Sequence, residues 1–219
     1  MGRLARVVLP GVIHHVTQRG VRSMDIFFKD EDRLEYFSLL KEQTSRVGLE
    51  FVGYCLMTNH IHLLVIPSEE DSLRRGIGEA HRLYTRYINF RTRTRGHLLQ
   101  GRFFSCPMDD SHFLAAARYV ERNPVRAQIT KRAEDYSWSS ARFHLGIVKN
   151  DALIERKYKG IGNPMEWEKW LQSDPSDIGI LRHHFRVGRP LGSEAFLMKA
   201  ELDTGRTLIP RKSGRPKKQ

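Results

Sequence analysis

Apolar and polar residues alternate or recur along this chain in a readable order. Val12 to Arg19 is β-branched and ends at Gly20, which predicts a strand. Asp30 opens a helix with Glu31 and Asp32 in its first turn; Leu34, Phe37, Leu40 and Val47 form its apolar stripe, and Gly48 stops it. Leu49 to Met57 reads as a second strand. Thr58-Asn59 makes a tight connection to a third, His60 to Ile66, ended by Pro67. Ser72 caps a second helix running to about Phe90, with Leu73, Ile77, Ala80, Tyr84 and Tyr87 on one face and Gly76 and Gly78 disturbing its first turns. Gly101 to Met108 makes a fourth strand. Asp110 or Ser111 caps a third helix through Phe113, Ala116, Ala117 and Val120, ending near Asn123 because Pro124 follows. The order β-α-β-β-α-β predicts an α+β, ferredoxin-like, four-stranded antiparallel sheet with helices on one face, followed by a further helix carrying Tyr119. The other face is left for a site.

Past residue 150 the pattern weakens into a mainly helical or irregular extension. Trp167, Trp170 and Leu171 suit a short helix, and Ser193 to Leu202 another. Arg211 to Gln219 reads as a basic tail without fixed structure.

Charge sharpens the picture. The 219 residues hold 37 Lys and Arg against 25 Asp and Glu, a net +12. Residues 72–105 carry +7 from eight arginines and one acid, residues 181–219 another +7, which leaves −2 for the rest. Arg74, Arg75, Arg82, Arg86, Arg91, Arg93, Arg95 and Arg102 lie among aromatic residues, a mixture suited to a polyphosphate with stackable bases. A solvated helix face with a basic tail would give the same count. No stretch approaches the roughly 18 uncharged apolar residues of a membrane span, and the N-terminus lacks the apolar core of a signal peptide. Cys55 and Cys106 have no metal or disulfide spacing, so the expected compartment is a reducing cytoplasm, in association with the nucleoid. The sequence contains no P-loop and no GxGxxG, hence no expected nucleotide cofactor, and Ser139-Ser140 lies outside any G-x-S-x-G elbow.

The chemistry concentrates in Asn59-His60-Ile61-His62-Leu63-Leu64-Val65. On a strand, His60 and His62 share one face while Ile61, Leu63 and Val65 take the other. Two adjacent imidazoles can chelate a divalent ion and leave coordination positions open, although H-x-H pairs also recur on surfaces without a ligand. Tyr119 and Asn123, four apart, stack on one helical face. The Asn123 amide oxygen is a hard ligand that can complete a His-His-Asn site for Mg²⁺ or Mn²⁺. Read alone, a tyrosine such as Tyr119 is more often a core-edge residue, and Asn123 is as often a helix stop. His14, His15, His81 and His97 have no spacing that demands a ligand role.

Several runs together carry a family likeness. His15-Val16-Thr17-x-Arg19-Gly20, Ile26-Phe27 and Asp30-Glu31-Asp32-Arg33 are followed by Met57-x-Asn59-His60-x-His62-Leu63-Leu64. After these come Gly101-Arg102-Phe103, Ala117-Arg118-Tyr119-Val120, Asn123-Pro124-Val125-Arg126-Ala127 and Tyr136-x-Trp138-Ser139-Ser140. In this order they resemble the REP-associated tyrosine transposases and related single-tyrosine HUH transposases, densely over residues 11–145. Gly188-Arg189-Pro190-Leu191-Gly192 and Gly214-Arg215-Pro216 resemble the C-terminal part of longer members. Two positions depart from the family: Thr58 stands where proline is usual, and Gln128 where glycine is usual.

The resemblance implies a transposase domain over 1–145 followed by an extension over 146–219. The Gly-Arg-Pro tail of that extension, with Arg215 between Arg211, Lys212, Lys217 and Lys218, resembles an AT-hook arm that binds DNA in a minor groove, and equally suits a solubilising tail. It implies cleavage and rejoining of single-stranded DNA near hairpin repeats through a 5′-phosphotyrosine. Tyr119 matches the nucleophile, His60 and His62 the metal ligands, and Asn123 a polar third ligand. Arg74, Arg75, Arg82, Arg86, Arg102 and Arg126 would track the DNA backbone. Related enzymes work as dimers, so a homodimer is an admissible assembly. Two other readings stay open: a domesticated hairpin binder that does not cut, and a metal phosphohydrolase using activated water.

Overall fold

A computed structural model describes residues 5–209. The Gly214-Arg215-Pro216 tail, and with it Arg215, lies outside the described residues. Four strands form one antiparallel sheet in the order β2-β3-β1-β4: β1 Ile13–Arg19, β2 Leu49–Leu56, β3 His60–Pro67 and β4 Phe104–Met108. This is the ferredoxin-like arrangement. Helices α1 (Asp30–Ser45) and α2 (Glu79–Thr92) cover one face. Ile61, Leu63 and Val65 of β3 point into that layer with Tyr36, Phe37 and Leu40 of α1 and Tyr84 and Ile88 of α2, as strand alternation predicts.

Helix boundaries differ from expectation where polar chemistry decides them. Leu34 is 57% exposed, and the buried side of α1 runs instead through Asp32, Arg33, Tyr36, Phe37, Leu40 and Thr44. Asp32 is buried because its carboxylate accepts bonds from the Phe28 and Lys29 amides and pairs with Arg91. Ser72 does not cap a helix; its hydroxyl donates to the Val47 carbonyl. A π-helical turn, Arg74–Gly78, precedes α2 instead. A Cβ at Gly76 would stand 3.0 Å from Val47 and 3.1 Å from Thr44, so the missing side chain lets this turn pack onto α1. The N-cap of α3 (Asp110–Glu121) is Asp109, whose carboxylate takes the His112 amide.

The second face is not open. Helix α3 lies on it through Phe113, Ala116, Ala117 and Val120, with two alanines allowing close approach. A single turn, α4 (Asn123–Arg126), follows after Arg122 breaks the helix. Past a short turn α5 (Ala141–His144), the extension adds α6 (Pro164–Leu171), α7 (Ile178–Val187) and α8 (Glu194–Thr204). The helices expected around Trp167 and Ser193 are α6 and α8; α7 is additional. Trp167 and Leu171 of α6 and Leu181 and Phe185 of α7 join the same core as Phe113 and Ala117.

A buried polar knot ties these parts together. The Glu121 carboxylate accepts from Ser140 Oγ at 2.6 Å, from Trp167 Nε1 at 2.8 Å and from the His144 ring, all buried. Both cysteines are free and buried. No helix among the described residues is long and apolar enough to cross a membrane.

Candidate active site

β-Pairing sets His60 opposite Arg19, and His62 between Thr17 of β1 and Cys55 of β2. The two histidine rings lie 5.0 Å apart, nearly perpendicular, on the face covered by α3. Tyr119 reaches them from α3: its ring meets His62 edge-on at 5.8 Å. Asn123 opens α4 and donates from its Nδ2 to His60 Nε2 at 3.3 Å, with its Oδ1 on the same carboxamide. The four residues expected to form a site therefore converge from β3, α3 and α4.

Each histidine is oriented through Nδ1. Asn59 donates its amide to the Ser23 carbonyl, which turns its Oδ1 toward His60 Nδ1 at 2.6 Å. His60 therefore carries its proton on Nδ1 and presents the Nε2 lone pair toward Asn123. The Gly20 amide fixes the Asn59 backbone in turn. His62 Nδ1 lies 2.7 Å from His15 Nε2. His15, diagonal to His62 across the β1–β3 pair, stacks at 3.7 Å on Phe185 of α7, which also touches the Tyr119 ring at 5.5 Å. Sequence spacing missed His15 because only the strand register brings it to His62. It missed Phe185 although Ile178, Leu181 and Phe185 carry a helical spacing between Asp177 and Gly188.

The imidazoles are neutral at physiological pH. Burial, aided by the charges of Arg19 and Arg126, pushes His60 down to about 4. Burial, with His15, His60 and Arg126 nearby, holds His62 well below the usual value. Arg19 is a third residue overlooked from sequence, a cation beside both rings.

Arg126 belongs to this site rather than to an outer DNA-tracking surface. Its guanidinium lies 4.1 Å over the Tyr119 ring, donates to the Tyr119 carbonyl at 2.7 Å and pairs with Asp174. It fixes the turn after α3. Tyr119 and Asn123 are 9% exposed and His62 is 6% exposed.

The remaining arginines are not gathered at the histidines. Arg82 and Arg86 lie exposed on α2, across the sheet from the site. Arg82 is matched by Glu79, and Arg74 and Arg75 by Asp71, which falls one residue outside the basic window. Arg102 lines a cleft of about 140 Å³ with Arg6, Phe104, Arg189 and Arg206, next to the edge strand β4.

Among the described residues no three His, Cys, Asp or Glu side chains group as a metal cluster. A cation at His60 and His62 would take its remaining ligands from the Asn123 carboxamide, from substrate oxygens and from water. Two neutral imidazoles whose Nδ1 atoms are both engaged, beside the Asn123 amide, fit that role.

Residues 12–123, just over half the chain, match the model of the IS200-like transposases. The chain belongs to that family. The matched segment runs from the start of β1 to Asn123, and so includes all four converging residues. In three dimensions this transposase is similar to the solved structure of a REP-associated tyrosine transposase bound to a REP hairpin. The TM-score is 0.58 at 13% identity, over 73% of this chain and 96% of that one. At that identity the likeness concerns the fold. No curated protein matches the chain in sequence.

Proposed function

We propose that this transposase cleaves and rejoins single-stranded DNA beside hairpin repeats, with Tyr119 as nucleophile and with Mg²⁺ or Mn²⁺ held by His60, His62 and Asn123. The observation that carries the reading is the approach of the Tyr119 ring to His62 while His60 faces Asn123. The solved relative bound to a hairpin supports the choice of substrate.

In the step proposed, the Tyr119 oxygen attacks phosphorus. A tyrosine–phosphate bond forms and the bond to the 3′-oxygen breaks. The phenolic proton passes to solvent and the departing 3′-oxygen gains one. The 5′-phosphotyrosine conserves the bond energy, so the 3′-hydroxyl can later reverse the step without a nucleotide cofactor. The chemistry such a cation supplies is charge withdrawal from a nonbridging phosphate oxygen. Arg126 holds the Tyr119 ring and its carbonyl, and Arg19 adds positive charge where the phosphate would lie. Arg74, Arg75, Arg82, Arg86 and Arg102 are candidates for backbone contacts away from the cut.

The test is covalent capture. The full chain, mixed with labelled single-stranded hairpin DNA and Mn²⁺, is run on a denaturing gel. A DNA-linked band that requires metal and vanishes in Tyr119→Phe is expected. Cleavage that survives Tyr119→Phe without a band would point to metal-activated water, and binding without cleavage to a domesticated binder; either result refutes the reading.

A further inference from the structure

We infer that His15 is a positioning residue for the cation site: it accepts the Nδ1 proton of His62 and thereby leaves His62 Nε2 as a bare lone pair for the metal. The inference rests on the metal reading above and names a part of it that spacing cannot supply.

The argument is one of proton placement. A neutral imidazole carries one N–H and one lone pair, and only the lone pair can ligate. His60 is settled by Asn59, whose Oδ1 can only accept, so its proton sits on Nδ1. His62 has no carboxylate or carbonyl in that role. Its Nδ1 meets another imidazole nitrogen, His15 Nε2, at 2.7 Å. Such a bond has two forms. If His15 donates, His62 carries its proton on Nε2, and that nitrogen is closed to a cation. If His62 donates, Nε2 is open and both histidines of the pair present the same nitrogen.

Among the described residues, His15 faces His62 and no other polar group. It is buried, its ring is clamped by the 3.7 Å stack on Phe185, and its own Nδ1 has no hydrogen-bond partner. No third group therefore dictates which nitrogen of His15 carries its proton. Accepting at Nε2 puts the His15 proton on the unpartnered Nδ1, the cost of a buried donor left without an acceptor, which a cation bound at His62 Nε2 offsets. A ring kept solely for packing would not need a nitrogen directed at a candidate ligand, and phenylalanine would fill the same space.

The experiment compares Mn²⁺ affinity, by electron paramagnetic resonance titration of the full chain without DNA, in the wild type, His15→Phe, His15→Gln and His62→Ala. His15→Phe preserves the stack on Phe185 and removes the acceptor. His15→Gln returns an acceptor oxygen near the place of Nε2. Second-sphere partners of metal-bound histidines typically contribute 10–100-fold in affinity. His15→Phe should therefore weaken Mn²⁺ by about that factor, while its thermal melt in EDTA stays close to that of the wild type, and His15→Gln should recover much of the loss. A structural role alone would not produce recovery by glutamine. Nitrogen-15 spectra of the Mg²⁺-loaded wild type should show His62 protonated at Nδ1, a readout that does not depend on any variant folding. His15→Phe binding Mn²⁺ as the wild type does, while His62→Ala fails, would overturn the role of His15 and leave the metal site standing. Absence of Mn²⁺ binding by the wild type, or binding unchanged in His62→Ala, would overturn both.

Discussion

Acid should unfold this transposase early, and the reason is its histidines. Burial disfavours the charged form of six of the ten in the folded chain, five of them strongly and His184 less so. Burial pushes His14 and His60 down to about 4 and His15 and His81 down to about 3, and His62 lies well below its usual value. In the unfolded chain each returns to about 6.5. Below that pH the unfolded state binds more protons than the folded one, so stability rises with pH and is lost as pH falls from about 6.5 toward 4. Integrating from pH 7 to 5 gives about 2 kcal/mol per histidine. For His14, His15, His60 and His81 together the upper limit is about 8 kcal/mol, with His62 acting in the same direction, comparable to the roughly 5–15 kcal/mol that holds a domain folded. The assay is urea unfolding at a series of pH values with EDTA present, so that no bound cation adds stability. Its slope near pH 5.5 should correspond to uptake of several protons, each about 1.4 kcal/mol per pH unit. Uptake of fewer than two would refute the reasoning, because it would mean that the histidines are already protonated, or hydrated, in the folded state.

Two further changes test the packing around the site. Trp167→Phe removes the indole donor from the buried Glu121 carboxylate; at about 1.5–3 kcal/mol for a bond to a charged group, plus lost ring volume, the melting temperature should fall by about 6–10 °C, and an unchanged melt by circular dichroism would show that the knot contributes nothing. Gln128 has φ 58° just past α4, where its amide and that of Ile129 bond back to Val125 and Pro124; Gln128→Gly relieves a left-handed cost of about 1–2 kcal/mol, against about 0.5–1 kcal/mol of added chain entropy, so a small rise in melting temperature is expected.

The same position bears on what the sequence could reveal. The family usually has glycine there, and the structure supplies the reason: the turn after α4 closes as a Schellman motif that wants a left-handed residue. Period-two patterns were readable throughout. The assignment of Ile61, Leu63 and Val65 to one layer, and of His60 and His62 to the other, needs only strand alternation. Helix phase was less readable where polar groups are buried. Apolar periodicity places Leu34 in the stripe of α1 because it gives no weight to Asp32, buried by backbone amides and Arg91 from another helix, or to Arg33, buried against Phe27 and Trp138. In the site, Tyr119 and Asn123 could be singled out from helical spacing because each acts along its own segment. His15 could not, since its partner lies 47 residues away and only the β1–β3 register joins them.

The loss of pattern after residue 150 is a property of the chain's periodicity and not of its packing. Phe185 is separated from Tyr119 by most of the extension, yet its ring lies 5.5 Å from the tyrosine and 3.7 Å from His15. Trp167 reaches the end of the tyrosine helix through Glu121. The ferredoxin-like sheet positions the histidines, but α3 is held from its outer side by the extension: Arg118, Arg122 and Arg126, spaced one helical turn apart, bind the segment around Ser173 and Asp174. A tyrosine whose helix is gripped in this way owes its placement to both halves of the chain. Changes in α6 or α7 should therefore alter the site's geometry, through Trp167 on Glu121 and Phe185 on Tyr119 and His15.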